Sequence, residues 1–216
     1  MTAGPALLVA FSLVAADQKP SPAAPPRVSY RIDVPRSRFV VNTETTGMSS
    51  MFGHDHKLEV GDYAGEVKMV PDEPGTASLE LTVRADSLRA VEERDDDVSA
   101  EIDAALRDQV LETRKYPTIT FKSRAVKAIA RADGTFDVNV AGVLDLHGVH
   151  REVTISVTLA FQGDSLRASG TLQLRQHDFK IAPFSFAGGT VSVADRVTLS
   201  FTVVARRRST DGPPNR

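Results

Sequence analysis

Chemistry-bearing side chains are few: the 216 residues hold five histidines and no cysteine. His54 and His56 lie in Gly53-His-Asp-His56, His147 and His150 bracket Gly148-Val149, and His177 follows Arg175-Gln176. In an extended segment residues i and i+2 share a face, so the imidazoles of His54 and His56 would stand side by side. Such a pair suits a first-row metal if His147, His150 or His177 adds a third nitrogen. A second chemistry uses His54, His56, His147 and His177 with Arg151 and Arg175 as a polar rim for a pyrophosphate or carboxylate head group. The third reading is structural, because a histidine beside glycine in a tight turn can satisfy backbone groups and needs no ligand.

Catalysis finds less support. The chain has no Gly-x-Ser-x-Gly elbow, no phosphate-cradling glycine loop and no His-Glu-x-x-His. Gly188-Gly189 reads as a turn before a strand. The acidic group Glu92, Glu93, Asp95, Asp96 and Asp97 favours the positive end of a following helix, with Asp97 or Ser99 as its N-cap. The expectation is a binding protein, with no enzyme activity and no cofactor.

The elements that would position these groups are mostly strands. Val98, Ile102, Ala105, Leu106, Gln109 and Val110 recur at helical spacing, and Pro117 forbids continuation, which predicts one amphipathic helix from about Val98 to Arg114. Alternation takes over at Thr118. Strands are predicted at 30–43, broken at Pro35, then at 64–70, 79–84, 118–131, 136–146, 152–162, 165–177 and 191–205, joined by Asp133-Gly134, His147-Gly148 and Gly163-Asp164 turns. Strands in sequential hairpins predict a single antiparallel up-and-down β-barrel of eight strands, with the helix covering one opening. With ten Phe, three Tyr and no Trp, the apolar faces are mainly aliphatic, a composition open to either an enclosed cavity or a packed core.

The remaining composition narrows the function classes. Residues 17–205 carry 22 basic and 27 acidic side chains, a net of −5, which gives no reason to expect nucleic acid. No run of 18 apolar residues occurs, so no transmembrane segment is expected. Residues 1–16 read as a signal peptide: Pro5 to Ala16 is a short apolar stretch ending in Val14-Ala15-Ala16, although MTAG lacks a basic residue. Residues 17–29 read as a Pro/Ala-rich linker, 30–205 as the folded domain, and 206–216 as a disordered basic tail. A homodimer is left open.

Several segments resemble the YceI-like family: Tyr30-x-Ile-Asp with Ser37 and Phe39, Ala85-Asp-Ser-Leu88, Lys115-Tyr-Pro-Thr-Ile-Thr-Phe-Lys-Ser123, Gly142-Val-Leu-Asp-Leu-His-Gly-Val149 with Arg151, and Arg175-Gln-His-Asp-Phe-Lys-Ile-Ala-Pro183. The likeness spans about residues 30–205, and departs from the common pattern around Asn42–Gly47. It implies an exported, lipocalin-like barrel that holds a lipid or polyisoprenoid, without cofactor or reaction. In such a barrel the tail would lie along Phe39, Val41, Leu81, Ile119, Phe121, Val140, Ile155, Val157, Leu172 and Phe201. The rim candidates named above would meet the head group.

Overall fold

Alternating apolar residues and short Gly-containing turns organise the chain into a meander of antiparallel strands. The computed structural model describes residues 25–46, 56–91, 96–186 and 191–208. Its strands are β1 Val28–Ile32, β2 Arg38–Thr46, β3 His56–Val60, β4 Tyr63–Val70, β5 Glu73–Arg84, β6 Leu88–Val91, β7 Thr118–Ala130, β8 Phe136–Leu146, β9 Val149–Gln162, β10 Ser165–Arg175, β11 Ser185–Phe186 and β12 Val191–Arg207. Helix α1 spans Asp96–Ala105.

The pairing order β1-β4-β5-β7-β8-β9-β10-β12 closes on itself through β12 and β1, giving an eight-stranded antiparallel barrel. β12 also pairs with β2, and the ladder continues to β3 and β6. So β1/β2, β3/β4 and β5/β6 are each one long strand broken in the middle, and the topology is a sequential up-and-down meander. Pro35 explains the first break: it sits in a 3-10 turn, Val34–Arg36, because its ring fixes φ and removes a ladder donor. The breaks are stitched together. Asp33 N–H donates to Val204 O at 2.8 Å, Gly61 N–H to Ser87 O at 3.0 Å and Arg84 N–H to Asp62 O at 3.0 Å. The Tyr63 hydroxyl donates to Ser37 O at 2.8 Å, and burial pushes its pKa up, keeping it a donor.

The hairpin turns follow their residue types. His147 and Gly148 both have positive φ, 54° and 69°, as a two-residue turn matched to strand twist requires. β7 has a bulge between Ser123 and Ala125, so its inward parity shifts from Ile119 and Phe121 to Val126 and Ala128.

The helix is shorter than the sequence suggests. α1 starts at Asp96, so Asp97 and Ser99 lie inside its first turn. It ends in one wide turn, Leu106–Val110, where Leu111 N–H donates to Leu106 O at 2.8 Å and Thr113 N–H to Arg107 O at 2.9 Å. Glu112 then adopts φ +44°, which stops the helix before Arg114. Pro117 is therefore not the stop signal. α1 lies beside β6, where the Asp103 carboxylate accepts the Ala90 N–H at 2.8 Å and covers that strand edge. At the other terminus β12 runs on through Arg207, with Arg206 held by Asp33 at 2.8 Å, so the basic tail begins later than residue 206.

Candidate ligand-binding cavity

Inward faces of the barrel strands do not fill the space they enclose. They surround a cavity of about 860 Å³. That is near the upper end of the ~300–1,000 Å³ range of small-molecule sites. All ten residues expected to contact a tail, Phe39, Val41, Leu81, Ile119, Phe121, Val140, Ile155, Val157, Leu172 and Phe201, stand in its lining. Two glycines make room for the aromatic wall. A Cβ at Gly142 would lie 2.6 Å from the Phe121 ring, and one at Gly170 would lie 2.8 Å from the Phe201 ring. Phe201 in turn stacks on Phe39 with centroids 5.8 Å apart.

Sequence reasoning left out part of the lining. Ile102, Ala105, Leu106, Val110 and Leu111 close one end, and Phe179, Ile181 and Phe184 contribute from the segment after β10. The helical stripe was readable from its spacing; residues 179–184 follow no period, so no pattern could have shown them.

Polarity in the cavity is one-sided. Its polar lining residues are Thr43, His56, Glu101, Gln109, Thr120, Arg175 and Gln176. They belong to α1 and its last turn, to the ends of β3, β7 and β10 beside it, and to the part of β2 paired with β3. The opposite half is lined by Met69, Pro74, Ala77, Leu79, Val126, Val138, Leu159, Leu166 and Ala168. An elongated molecule with one polar end has a single favoured orientation here.

The rim candidates do not converge. His56 and Arg175 border the cavity. His177 lies outside it, its Nδ1 2.8 Å from Asp195, and Arg151 donates to Asp178 O at 2.6 Å. His147 is buried, with Nδ1 3.2 Å from Phe179 O and Nε2 2.9 Å from the Glu112 carboxylate. His54 falls outside the described residues. Among those described, no three His, Cys, Asp or Glu side chains group as a metal site would need.

A model of the YceI-like domain matches residues 30–205. The chain belongs to the YceI-like family. "Protein YceI" of Escherichia coli O17:K52:H18 is 29% identical over 162 residues, covering 70% of this chain and 76% of the relative. A UPF0312 protein of Enterobacter sp. (strain 638) is 30% identical over 163 residues, covering 70% and 75%. Among solved structures, Burkholderia cenocepacia BcnA superposes with a TM-score of 0.62 at 20% identity, covering 80% of this chain and 98% of that one. A polyisoprenoid binding domain from Saccharophagus degradans gives 0.59 at 14% identity, covering 84% and 99%.

Two of the YceI-like segments, far apart in the chain, meet in the structure. Tyr116, of Lys115-Tyr-Pro, lies over the His147 imidazole of Leu-His-Gly, with ring centroids 4.3 Å apart. A side chain at Gly148 would strike that tyrosine, with Cβ 2.6 Å from its ring. Together with Glu112 and Phe179 they clamp the end of the helical cap to the β8–β9 hairpin. In this YceI-like barrel His147 therefore shapes the cavity from behind instead of lining it.

Proposed function

We propose that this YceI-like protein binds an elongated amphiphile, a lipid or polyisoprenoid, inside the barrel for carriage or sequestration. The observation that carries this reading is the cavity of about 860 Å³, apolar throughout one half and polar only beside α1. Each buried methylene contributes ~0.8 kcal/mol, so a ten-carbon tail supplies roughly 8 kcal/mol before the cost of ordering it. Two rim candidates, His56 and Arg175, stand where the head group would sit. The fold shared with the polyisoprenoid binding domain from Saccharophagus degradans supports the same class of ligand. We place the protein in the periplasm or outside the cell, on the apolar stretch Pro5–Ala16 and its small-residue ending.

The test is native mass spectrometry of protein purified without detergent from the exported fraction, before and after solvent extraction, with saturable uptake of a fluorescent isoprenoid or fatty-acid probe. A co-purified mass removed by extraction, and uptake lost in Val157→Arg, are expected. An apoprotein mass with no uptake of either probe would overturn the reading.

A further inference from the structure

Two pairs of arginines stand directly opposite one another across strands in this barrel. Arg31 faces Arg206 across β1 and β12, and Arg175 faces Arg196 across β10 and β12. Like charges in such positions repel, so each pair needs a counter-charge. The first has one, since Asp33 lies 2.8 Å from Arg206. The second has no direct ion pair among the described residues, and its one electrostatic partner is Asp195, whose carboxyl is lowered first by the His177 N–H and also by the charge of Arg175. The acids around them make their direct contacts with other groups. Asp195 accepts from the His177 N–H and imidazole at 2.9 and 2.8 Å, Asp178 faces Arg151 at 3.8 Å, and Glu152 faces Arg124 at 4.0 Å.

The opposed pair borders a depression in the barrel wall. β9 and β10 stop pairing at Ser156 and Thr171, although β9 starts at Val149 and β10 runs to Arg175. The wedge left between them is a cleft of about 390 Å³, lined by Arg151, Arg175 and Arg196 together with the carboxylates of Glu152 and Asp178. Leu174 and Phe179 floor it and also line the main cavity on their inner side. The cleft therefore opens outward, backed by an apolar wall, and presents guanidinium donors from three strands.

We infer that this cleft is an oxyanion site, with Arg175 and Arg196 as its principal ligands, fitted to a phosphoryl group. A tetrahedral phosphate, largely dianionic when free and monoanionic in a diester head group, accepts several charge-assisted hydrogen bonds between two guanidiniums and offsets their mutual repulsion. The group is either free phosphate or the phosphate of a lipid head group at a membrane surface. Arg175 borders both this cleft and the main cavity, whereas Arg196 borders the cleft alone, so Arg196 is the position that tells this site from the one inside the barrel.

The experiment follows arginine Nε–H signals by NMR while inorganic phosphate is titrated at constant ionic strength. A second arm measures co-flotation with vesicles containing phosphatidylglycerol, against phosphatidylcholine alone. Arg196→Gln and Arg175→Gln test the site, and Arg167→Gln removes the same charge from an exposed position further along β10. Saturable shifts at Arg175 and Arg196, weakened about tenfold or more by either site variant and unchanged by Arg167→Gln, are expected. Saturation without flotation assigns the site to free phosphate. Flotation lost in Arg196→Gln and competed by phosphate assigns it to the lipid head group. Shifts that never saturate, or an equal loss in all three variants, would overturn the proposal, because that is general charge screening.

Discussion

Ala168→Phe separates an empty ligand cavity from an ordinary barrel core, because the two give opposite signs. Ala168 lies on β10 between Leu159 and Val203, half-buried, with its side chain in the cavity lining. A phenyl ring there enters open space in the protein without ligand. Cavity filling of this kind stabilises by about 0.5–2 kcal/mol, and each kcal/mol raises the Tm of a domain this size by ~2–4 °C. The same ring takes the place of about five tail methylenes. At ~0.8 kcal/mol each the ligand loses ~4 kcal/mol, roughly a thousandfold in Kd. The assay is calorimetric melting of delipidated protein, followed by titration with an isoprenoid or fatty-acid probe. A Tm rise with a large loss of affinity is expected. If the space were packed, the ring would strain its neighbours and destabilise by about 1–3 kcal/mol. A lowered Tm would refute the open cavity, and unchanged affinity would show that the ligand binds somewhere else.

Three further outcomes follow from the same geometry. His147→Ala removes both imidazole contacts, leaves Phe179 O unpaired and places alanine at φ 54°, so urea denaturation should show a loss of ~2–3 kcal/mol with probe affinity within about threefold; His147→Gly, free of the backbone strain, should lose about 1 kcal/mol less. Gly142→Ala puts a methyl 2.5 Å from Lys122 O and 2.6 Å from the Phe121 ring and should cost about 1–3 kcal/mol, whereas Gly75→Ala, with nothing within 4 Å, should be neutral or slightly stabilising. Below neutral pH, hydrogen bonds from the Thr135 hydroxyl and N–H hold the Asp133 carboxyl below its usual range, and those from Ser29 and Lys68 do the same for Glu66. Acids lowered in the folded state contribute stability that is present above the ordinary carboxylate pKa of ~4 and lost as pH falls through the folded values. The urea midpoint should hold from pH 7 to about 5 and decline below about 4, less steeply in Asp133→Asn with Glu66→Gln; a midpoint that rises on acidification would contradict the assignment.

Much of this barrel was legible from local pattern. Alternation at Phe136–Leu146 and the Gly163-Asp164 turn set strand, facing and hairpin without reference to the rest of the chain. The inward facing of the ten cavity-lining positions followed from the same alternation, since in a strand the side of each residue is fixed by parity. Parity fails where a bulge intervenes, so Val126 shares the inward face of Phe121, five residues earlier, only because Ser123–Ala125 carries an extra residue.

Local pattern carries the short-range choices: period-two strands, two-residue turns, and a helix apolar on one face. The tertiary structure decided whatever depends on groups meeting from distant positions. Helix α1 ends where it does because Leu106 and Leu111 are drawn into the barrel and Glu112 turns back to reach His147. His147 is a buried clamp because Tyr116 and Phe179 close around it, and Arg175 faces Arg196 because β12 pairs with β10 in that register. The empty space itself is a difference between enclosed volume and side-chain volume, a sum over all eight strands that no local window contains.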